Sequence, residues 1–171
     1  MKKFIAIACI LALCLGVLSG CMERVDTNAV DTSAPVGVVL VNGETKIDVT
    51  VGDWEAKRTQ IKTVDYSLPG TTKEYEFTGV TLASLMEIAG ASDCTQIVVR
   101  SSDGWEAVVA AADAQAYDIL ITDDYVGGKD IPADAGGPIK MVFPATEHPE
   151  LNEKYDTWAW QWYVSEIEFV K

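Results

Sequence analysis

The sequence predicts a single β-rich α+β domain that is stabilised by its own hydrophobic core. The 171 residues suit one domain, and 49% of them are hydrophobic, which supplies enough apolar surface for a core. Short β-prone segments outnumber the helical ones. The helical segments do not alternate regularly with the strands, so a doubly wound parallel sheet is not expected.

The N-terminus has the pattern of an export signal. Lys2 and Lys3 precede an apolar run at residues 4–18, which is short for a membrane span. The order Leu18-Ser19-Gly20-Cys21 resembles a bacterial lipobox. This resemblance implies that Cys21 is lipidated and begins the mature chain, which would lie in the cell envelope, outside the cytoplasmic membrane. An ordinary signal peptide with a chance cysteine, or a short anchor helix, is the alternative.

These features divide the chain into three predicted parts. Residues 1–20 form the signal peptide. Residues 21–35 carry the lipidated Cys21 and a flexible tether that lacks apolar periodicity. Residues 36–171 form the domain.

The first part of the domain is predicted to be a β-hairpin followed by shorter strands. Residues 36–41 and 44–51 are β-prone and flank Asn42-Gly43, the strongest short-range hairpin signal. Further strand candidates lie at 60–66 and 75–77, separated by the Pro69-Gly70 turn.

The clearest helix is predicted at residues 81–89. Leu82, Leu85, Met86 and Ala89 fall at i, i+3, i+4 and i+7, and Gly90 stands where a helix normally ends. A second hairpin follows at 96–100 and 105–110, around Ser101-Ser102-Asp103-Gly104. The remaining candidates are a short helix at 110–116 and strands at 118–122, 139–143, 158–164 and 167–170.

The charge excludes some classes of partner. The chain has 13 basic and 26 acidic residues, a net charge of −13 that becomes about −15 without Lys2 and Lys3. Such a surface repels polyanions, so no nucleic-acid partner is expected. The single histidine argues against His-rich metal sites and His-based relays. No Gly-x-Ser-x-Gly, Walker or dinucleotide-binding motif is present.

Trp158, Trp160 and Trp162 alternate, so a strand would place all three on one face. We expect this face to point into the core and to bury at least two of the rings, because tryptophans bury large areas in small domains. The alternative is an aromatic wall for a flat ligand.

Two acidic segments contain metal-ligating residue types, but no metal is predicted at either. The spacing of the first fits no standard zinc pattern, and the second lacks the order and closing glutamate of an EF-hand. They comprise Glu147, His148, Glu150 and Glu153, and Asp123, Asp124, Asp130 and Asp134. Solvated loops are the expectation for both.

Cys94 is the one cysteine of the predicted domain, so it has no partner for an internal disulfide. Its sequence neighbours are neutral or acidic, whereas a reactive thiolate needs a nearby cation or a helix N-terminus. A structural or incidental role is expected.

Four segments together resemble the molybdopterin-binding domain of the sulfite-oxidase-like oxidoreductases. They are the Gly-Val-x-Leu helix entry at 77–85, the Ser-x-Asp-Gly-aromatic turn at 101–105, the Gly-Pro-hydrophobic-basic strand at 136–144 and the closing Trp-x-x-x-Ile segment at 162–168. The resemblance implies this fold for residues 36–171 and molybdopterin as the cofactor of the family. It also implies a molybdenum-ligating cysteine upstream of the Gly-Val helix, but residues 54–78 contain none. Gln161 stands where the family often has a basic residue.

We therefore expect a degenerate, non-catalytic relative that binds a small molecule or an envelope protein. The alternative is a genuine molybdopterin-binding oxidoreductase or electron-transfer component with non-standard metal ligation, so whether the protein is an enzyme stays open. Arg100 or Lys140 would anchor an anionic group of the ligand, and Trp105 or Trp162 would stack on a planar one. Asp103 and Gly104 would shape the turn beside them.

Overall fold

The computed structural model describes residues 30–125 and 128–171, and the domain begins at Asp31. The predicted signal peptide, Cys21 and most of the tether lie outside the described residues. Residues 31–35 of the predicted tether lie within this domain: Thr32 and Ala34 accept backbone hydrogen bonds from Gly52 and Val51, and the first strand begins at Pro35. None of the helices in the described ranges is long and apolar enough to span a bilayer.

The part of the domain that the structure describes contains two five-stranded sheets. The first sheet has the order β2-β1-β10-β5-β6. Its strands are β1 (Pro35–Asn42), β2 (Thr45–Thr50), β5 (Gln96–Ser101), β6 (Glu106–Ala110) and β10 (Val164–Val170). The pairing of β1 with β10 is parallel, and the other pairings in this sheet are antiparallel.

The second sheet has the order β3-β4-β7-β8, with β9 also paired to β7. Its strands are β3 (Thr59–Val64), β4 (Glu74–Thr81), β7 (Leu120–Tyr125), β8 (Lys129–Asp130) and β9 (Lys140–Val142). The strand expected at 139–143 is therefore confirmed in a shorter form.

Within the described ranges, four short helices lie between these strands: α1 (Val51–Lys57), α2 (Leu82–Ala89), α3 (Ala111–Ala116) and α4 (Glu150–Lys154). The predicted helix at 81–89 is confirmed as α2. Thr81 caps its first turn by accepting from the Ser84 N–H, and Gly90 ends it in the left-handed conformation at φ 61°.

Both predicted hairpins are confirmed, but the first is followed by a helix that was not predicted. Strand β2 ends at Thr50, which forms a reciprocal capping box with Asp53 and starts α1. This helix buries Trp54, which joins a core made mainly of aliphatic and aromatic side chains from both sheets and α2.

The prediction of a strand at 158–164 is wrong. Residues Thr157–Ala159 form a 3₁₀ turn, which Asp156 caps by accepting from the Trp158 N–H, and β10 starts only at Val164. Tyr163 has a φ of 52°, which is incompatible with a regular strand. The three alternate tryptophans consequently do not lie on one face of a strand.

At least two of these tryptophans were expected to be buried, but only one of the three is. Trp160 is buried, Trp162 is half-buried, and Trp158 is 73% exposed. The reason is the 3₁₀ turn, which sends successive side chains in directions that a period of two does not describe.

Candidate functional site

An open cleft of about 400 Å³ lies where the Asp103 turn meets the segment before β10. We call it the aromatic cleft. Its walls include Trp105, Trp158, Trp160, Trp162, Asp103 and Gln161. The volume is in the range of small-molecule sites in proteins. The tryptophan segment, which was predicted to face the core, thus also forms one wall of a cleft that is large enough for a small molecule.

The rim of the cleft is a pair of stacked tryptophans. The rings of Trp105 and Trp158 have their centroids 5.6 Å apart and their planes at 18°. Trp105 follows Gly104, whose φ of 95° allows the tight turn between β5 and β6. Trp105 is 60% exposed, so both rings of the pair are open to solvent on part of their surface.

One wall is ordered by a chain of hydrogen bonds through Ser101. The Ser101 hydroxyl donates to Asp103 Oδ1 at 2.6 Å, and it accepts from Gln161 Nε2 at 2.7 Å. A carboxylate can only accept, so this chain fixes the orientation of the Gln161 amide. The Oε1 atom of Gln161 is buried and has no hydrogen-bond partner among the described residues. The same is true of Trp160 Nε1.

Beneath Trp162 lies a buried ion pair. Lys140 Nζ is 5.3 Å from the centre of the Trp162 ring and donates to Asp65 Oδ2 at 2.7 Å, to Ser67 Oγ at 2.9 Å and to the Ala135 carbonyl at 3.0 Å. Burial lowers the pKa of Lys140, and the charge of Asp65 counteracts part of that shift. Ser67 also accepts from Trp162 Nε1 at 2.9 Å, so the same network holds the ring in place.

This network corrects the role expected for Lys140. An ammonium group has three N–H donors, and here the protein uses all three. The side chain is fully buried under the floor of the cleft. Lys140 therefore positions Trp162 and does not offer its charge to an anionic ligand.

The structure does not bring Arg100 to the aromatic cleft either. Arg100 lies on the first sheet, where it forms ion pairs with Glu106, Glu166 and Glu168 at 2.6–3.3 Å. The hydrogen bond that Arg100 donates to Glu168 is the main cause that raises the pKa of Arg100, and the charges of the two β10 carboxylates add to it. Neighbouring carboxylates thus engage this cation, which is the physical reason that it does not serve as the expected anchor.

Gly136 shapes the floor from behind. Its φ is 95°, and an added Cβ would lie 2.6 Å from Cγ of Trp162. A side chain there would displace the ring. Tyr163 completes this corner, because its N–H donates to the Gly136 carbonyl at 3.0 Å and its hydroxyl to the Ala133 carbonyl at 2.9 Å.

Of the predicted site residues, Asp103, Trp105 and Trp162 line the aromatic cleft, and Gly104 shapes its turn. Sequence reasoning did not single out Asp65 and Ser67. Both lie in the loop after β3, and no local pattern marks a loop carboxylate as the partner of a lysine 75 residues away. Gln161 was noted only for the basic residue that it replaces.

The acidic segments do not assemble a metal site. The described residues contain no group of three or more His, Cys, Asp or Glu side chains that could hold a metal ion. Arg58 forms ion pairs with Asp123 and Asp124 at 3.1 Å each. His148 packs against the ring of Tyr117 with centroids 4.8 Å apart.

The donor set of the aromatic cleft does not fit molybdenum ligation by a cysteine with basic residues around a pterin phosphate. Cys94 is buried in the core, where burial raises the pKa of its thiol. The residues that line the cleft within the described ranges include no lysine or arginine. The chemistry that remains there is aromatic stacking, the Asp103 carboxylate and neutral hydroxyl groups.

A comparison with protein-family models finds a match for this chain. The family model of the oxidoreductase molybdopterin binding domain matches residues 48–148, which include α2, the Asp103 turn and the Lys140 strand. No curated protein matches the chain. The sheet-rich α+β architecture agrees with this family, and the match covers more than half of the chain. The chain therefore belongs to the oxidoreductase molybdopterin-binding domain family.

Proposed function

We propose that this protein is a ligand-binding member of the family that holds a small molecule in the aromatic cleft and does not carry out the family's redox chemistry. The observation that carries the proposal is the Lys140 network. Lys140, the basic residue of the family-like strand, donates all three of its N–H groups to Asp65, Ser67 and Ala135. It therefore has no donor left to bind an anionic cofactor. The cleft above it still has the volume and the aromatic walls of a binding site.

Two buried polar groups stand in the wall of the cleft. Gln161 Oε1 and Trp160 Nε1 come from consecutive residues that line the cleft, and both lack a partner in the described part of the chain. An unsatisfied buried polar group costs about 1–3 kcal/mol. Neither atom is open to the cleft in this conformation, so a ligand with a hydroxyl or amide group would pair with them only after a side chain of the wall moves.

We further propose that the protein is a lipoprotein, held through Cys21 outside the cytoplasmic membrane. The basic start, apolar run and small residues before Cys21 support this placement. The net charge of −13 gives the domain no attraction to anionic lipid head groups, so attachment would depend on the lipid.

The test is elemental analysis for molybdenum and tungsten, with oxidised-pterin fluorescence, on the full chain extracted in detergent from membranes of its own host. We expect neither metal nor pterin in stoichiometric amount. Intact mass of the same sample checks the diacylglycerol on Cys21. Stoichiometric metal with pterin would refute the non-redox proposal, whatever the state of Cys21.

The family match itself favours a second function, that of a molybdopterin-binding oxidoreductase with non-standard metal ligation. The match includes the Asp103-Gly104 turn and the Lys140 strand. This function requires the metal and pterin that the first excludes, so the same analysis separates the two.

The exposed pair of Trp105 and Trp158 favours a third function, docking of an envelope protein. Here Trp158→Ala should abolish a cross-link to one defined partner in intact cells. A cross-linking pattern that is the same in Trp158→Ala and wild type would reject this function.

A further inference from the structure

We propose that the aromatic cleft selects a small organic cation, such as an alkylammonium group. This inference rests on the proposed function and names the chemical class of the ligand. Three properties of the cleft support it: the tryptophan faces, the carboxylate of Asp103, and the lysine beneath the floor, whose charge Asp65 balances.

The tryptophan faces provide the first support. Among aromatic side chains, indole attracts cations most strongly, and clusters of such rings form the sites that bind methylated ammonium groups. Trp105, Trp158 and Trp160 lie together in the cleft wall, and the first two are partly open to solvent. Tyr66 contacts Trp160 edge-on with centroids 5.8 Å apart, which steadies that ring.

The second support is the sign of the charge. Asp103 lines the cleft, and its one hydrogen bond from a described residue goes to Oδ1. Its Oδ2 remains for a ligand. No lysine or arginine lines the cleft in the described part of the chain. The chain as a whole carries −13, so the field at this site repels anions and attracts cations.

The buried Lys140 does not oppose a cation. Its charge lies 2.7 Å from the carboxylate of Asp65, so the pair is close to neutral at the distance of a ligand. Lys140 does occupy one face of Trp162. A bound cation is therefore expected against Trp105 and Trp158, the two rings that are open to solvent, and not against Trp162.

The experiment compares two probes of the same shape and different charge. Choline carries a trimethylammonium group, and 3,3-dimethylbutan-1-ol has the same outline with a neutral carbon in place of the nitrogen. Binding to the full chain in detergent is measured by titration calorimetry and tryptophan fluorescence, with benzyltrimethylammonium as a second, larger cation. We expect choline to bind about tenfold more tightly than its neutral counterpart, and benzyltrimethylammonium to bind at least as tightly as choline.

Variants locate the binding. Asp103→Asn keeps an acceptor for Ser101 and removes the charge, so it should weaken the cation about fivefold and leave the neutral probe unchanged. Asp48→Asn, on exposed β2, makes the same change in net charge and should have no effect. Trp158→Leu changes a 73% exposed residue and should weaken cation binding without unfolding the domain.

The outcomes separate this inference from the proposed function. Equal affinity for choline and its neutral counterpart, or no binding of either cation at millimolar concentration, overturns the selection of cations. Neither result restores the redox function, which only the metal and pterin analysis decides. If Asp48→Asn weakens binding as much as Asp103→Asn, the effect belongs to the overall charge and the site assignment is wrong.

Discussion

Lys140 Nζ lies 2.7 Å from Asp65 Oδ2, and both side chains are almost completely buried beneath the ring of Trp162. A lysine that sequence motifs associate with anion binding is thereby a structural element of the cleft floor. The ion pair joins the loop after β3 to strand β9. Lys140 also donates to the Ser67 hydroxyl, which accepts a hydrogen bond from Trp162 Nε1.

Removal of one member of this pair should destabilise the domain strongly. Lys140→Met leaves the carboxylate of Asp65 buried and unpaired, so the free energy of unfolding should fall by about 3–5 kcal/mol. Urea denaturation followed by circular dichroism measures it. Lys62→Met breaks the exposed pair with Glu74 and should lower stability by at most about 1 kcal/mol.

The double variant Asp65→Asn/Lys140→Met removes both charges and should be more stable than Lys140→Met alone. The single variant Asp65→Asn completes the comparison. If the double variant loses as much unfolding free energy as the two single variants together, the two side chains are not coupled.

Alanine at two glycines with the same backbone angle should give different losses. Gly104 and Gly136 both have φ of 95°. An added Cβ meets nothing within 4 Å at Gly104 but lies 2.6 Å from the Trp162 ring at Gly136. Gly104→Ala should therefore lose about 1–2 kcal/mol from backbone strain, whereas Gly136→Ala should lose a further 1–3 kcal/mol, approximately, from overpacking.

Thermal unfolding compares these variants, and tryptophan emission reports the ring. The emission should change in Gly136→Ala and stay like the wild type in Gly104→Ala. Equal losses at both positions would mean that contact with Trp162 does not restrict residue 136.

Stability should decline in acid partly because of Asp113. Burial alone would raise the pKa of this carboxyl, but hydrogen bonds from Lys154 and Tyr155, with the charge of Lys154, hold the pKa below its ordinary value. The unfolded chain then takes up the proton first as the pH falls. The stabilisation is complete above the ordinary aspartate pKa of about 4, and it is lost as the pH falls through the lower pKa of the folded state.

Asp113→Asn tests this. The variant should be less stable than the wild type by about 1–2 kcal/mol at neutral pH, and the difference should shrink as the pH falls below about 4. Chemical denaturation across that range measures it. A constant difference at every pH would assign the loss to packing and not to the charge.

Cys94 should be unreactive in the folded protein. It is buried, and the same burial raises the pKa of its thiol, so little thiolate is available to a reagent. Ellman's reagent should modify it slowly in buffer and rapidly in urea. Cys94→Ala identifies its contribution to the signal, and rapid modification of the native wild type would contradict the burial.

Local sequence signals predicted the elements that short-range forces determine. Gly43 set the turn of the first hairpin, because few other residues adopt its φ of 61°, whereas Asn42 ends β1 and pairs with Thr45. Thr81 and Gly90 set the ends of α2. The capping box of Thr50 and Asp53 was also legible as a local signal, but the alternation of β2 was extended past it to Val51.

Local signals could not predict which strands pair over long distances in sequence. Strand β1 pairs in parallel with β10, which is the last strand of the chain. Alternation of side chains identifies a strand but does not name its neighbour. In the tryptophan segment, alternation predicted a strand where none exists. Its residues form a 3₁₀ turn and an irregular connection.

By itself, the sequence determined the family, the fold class, the acidic charge and the turn that presents Asp103 and Trp105, because motifs, composition and tight turns are local properties of the chain. Only the tertiary structure decided which cations are free. Arg100 and Lys140 looked alike as anchors, but carboxylates distant in sequence fold onto both. Coulomb attraction depends on distance in space and not along the chain, so that distinction requires the fold.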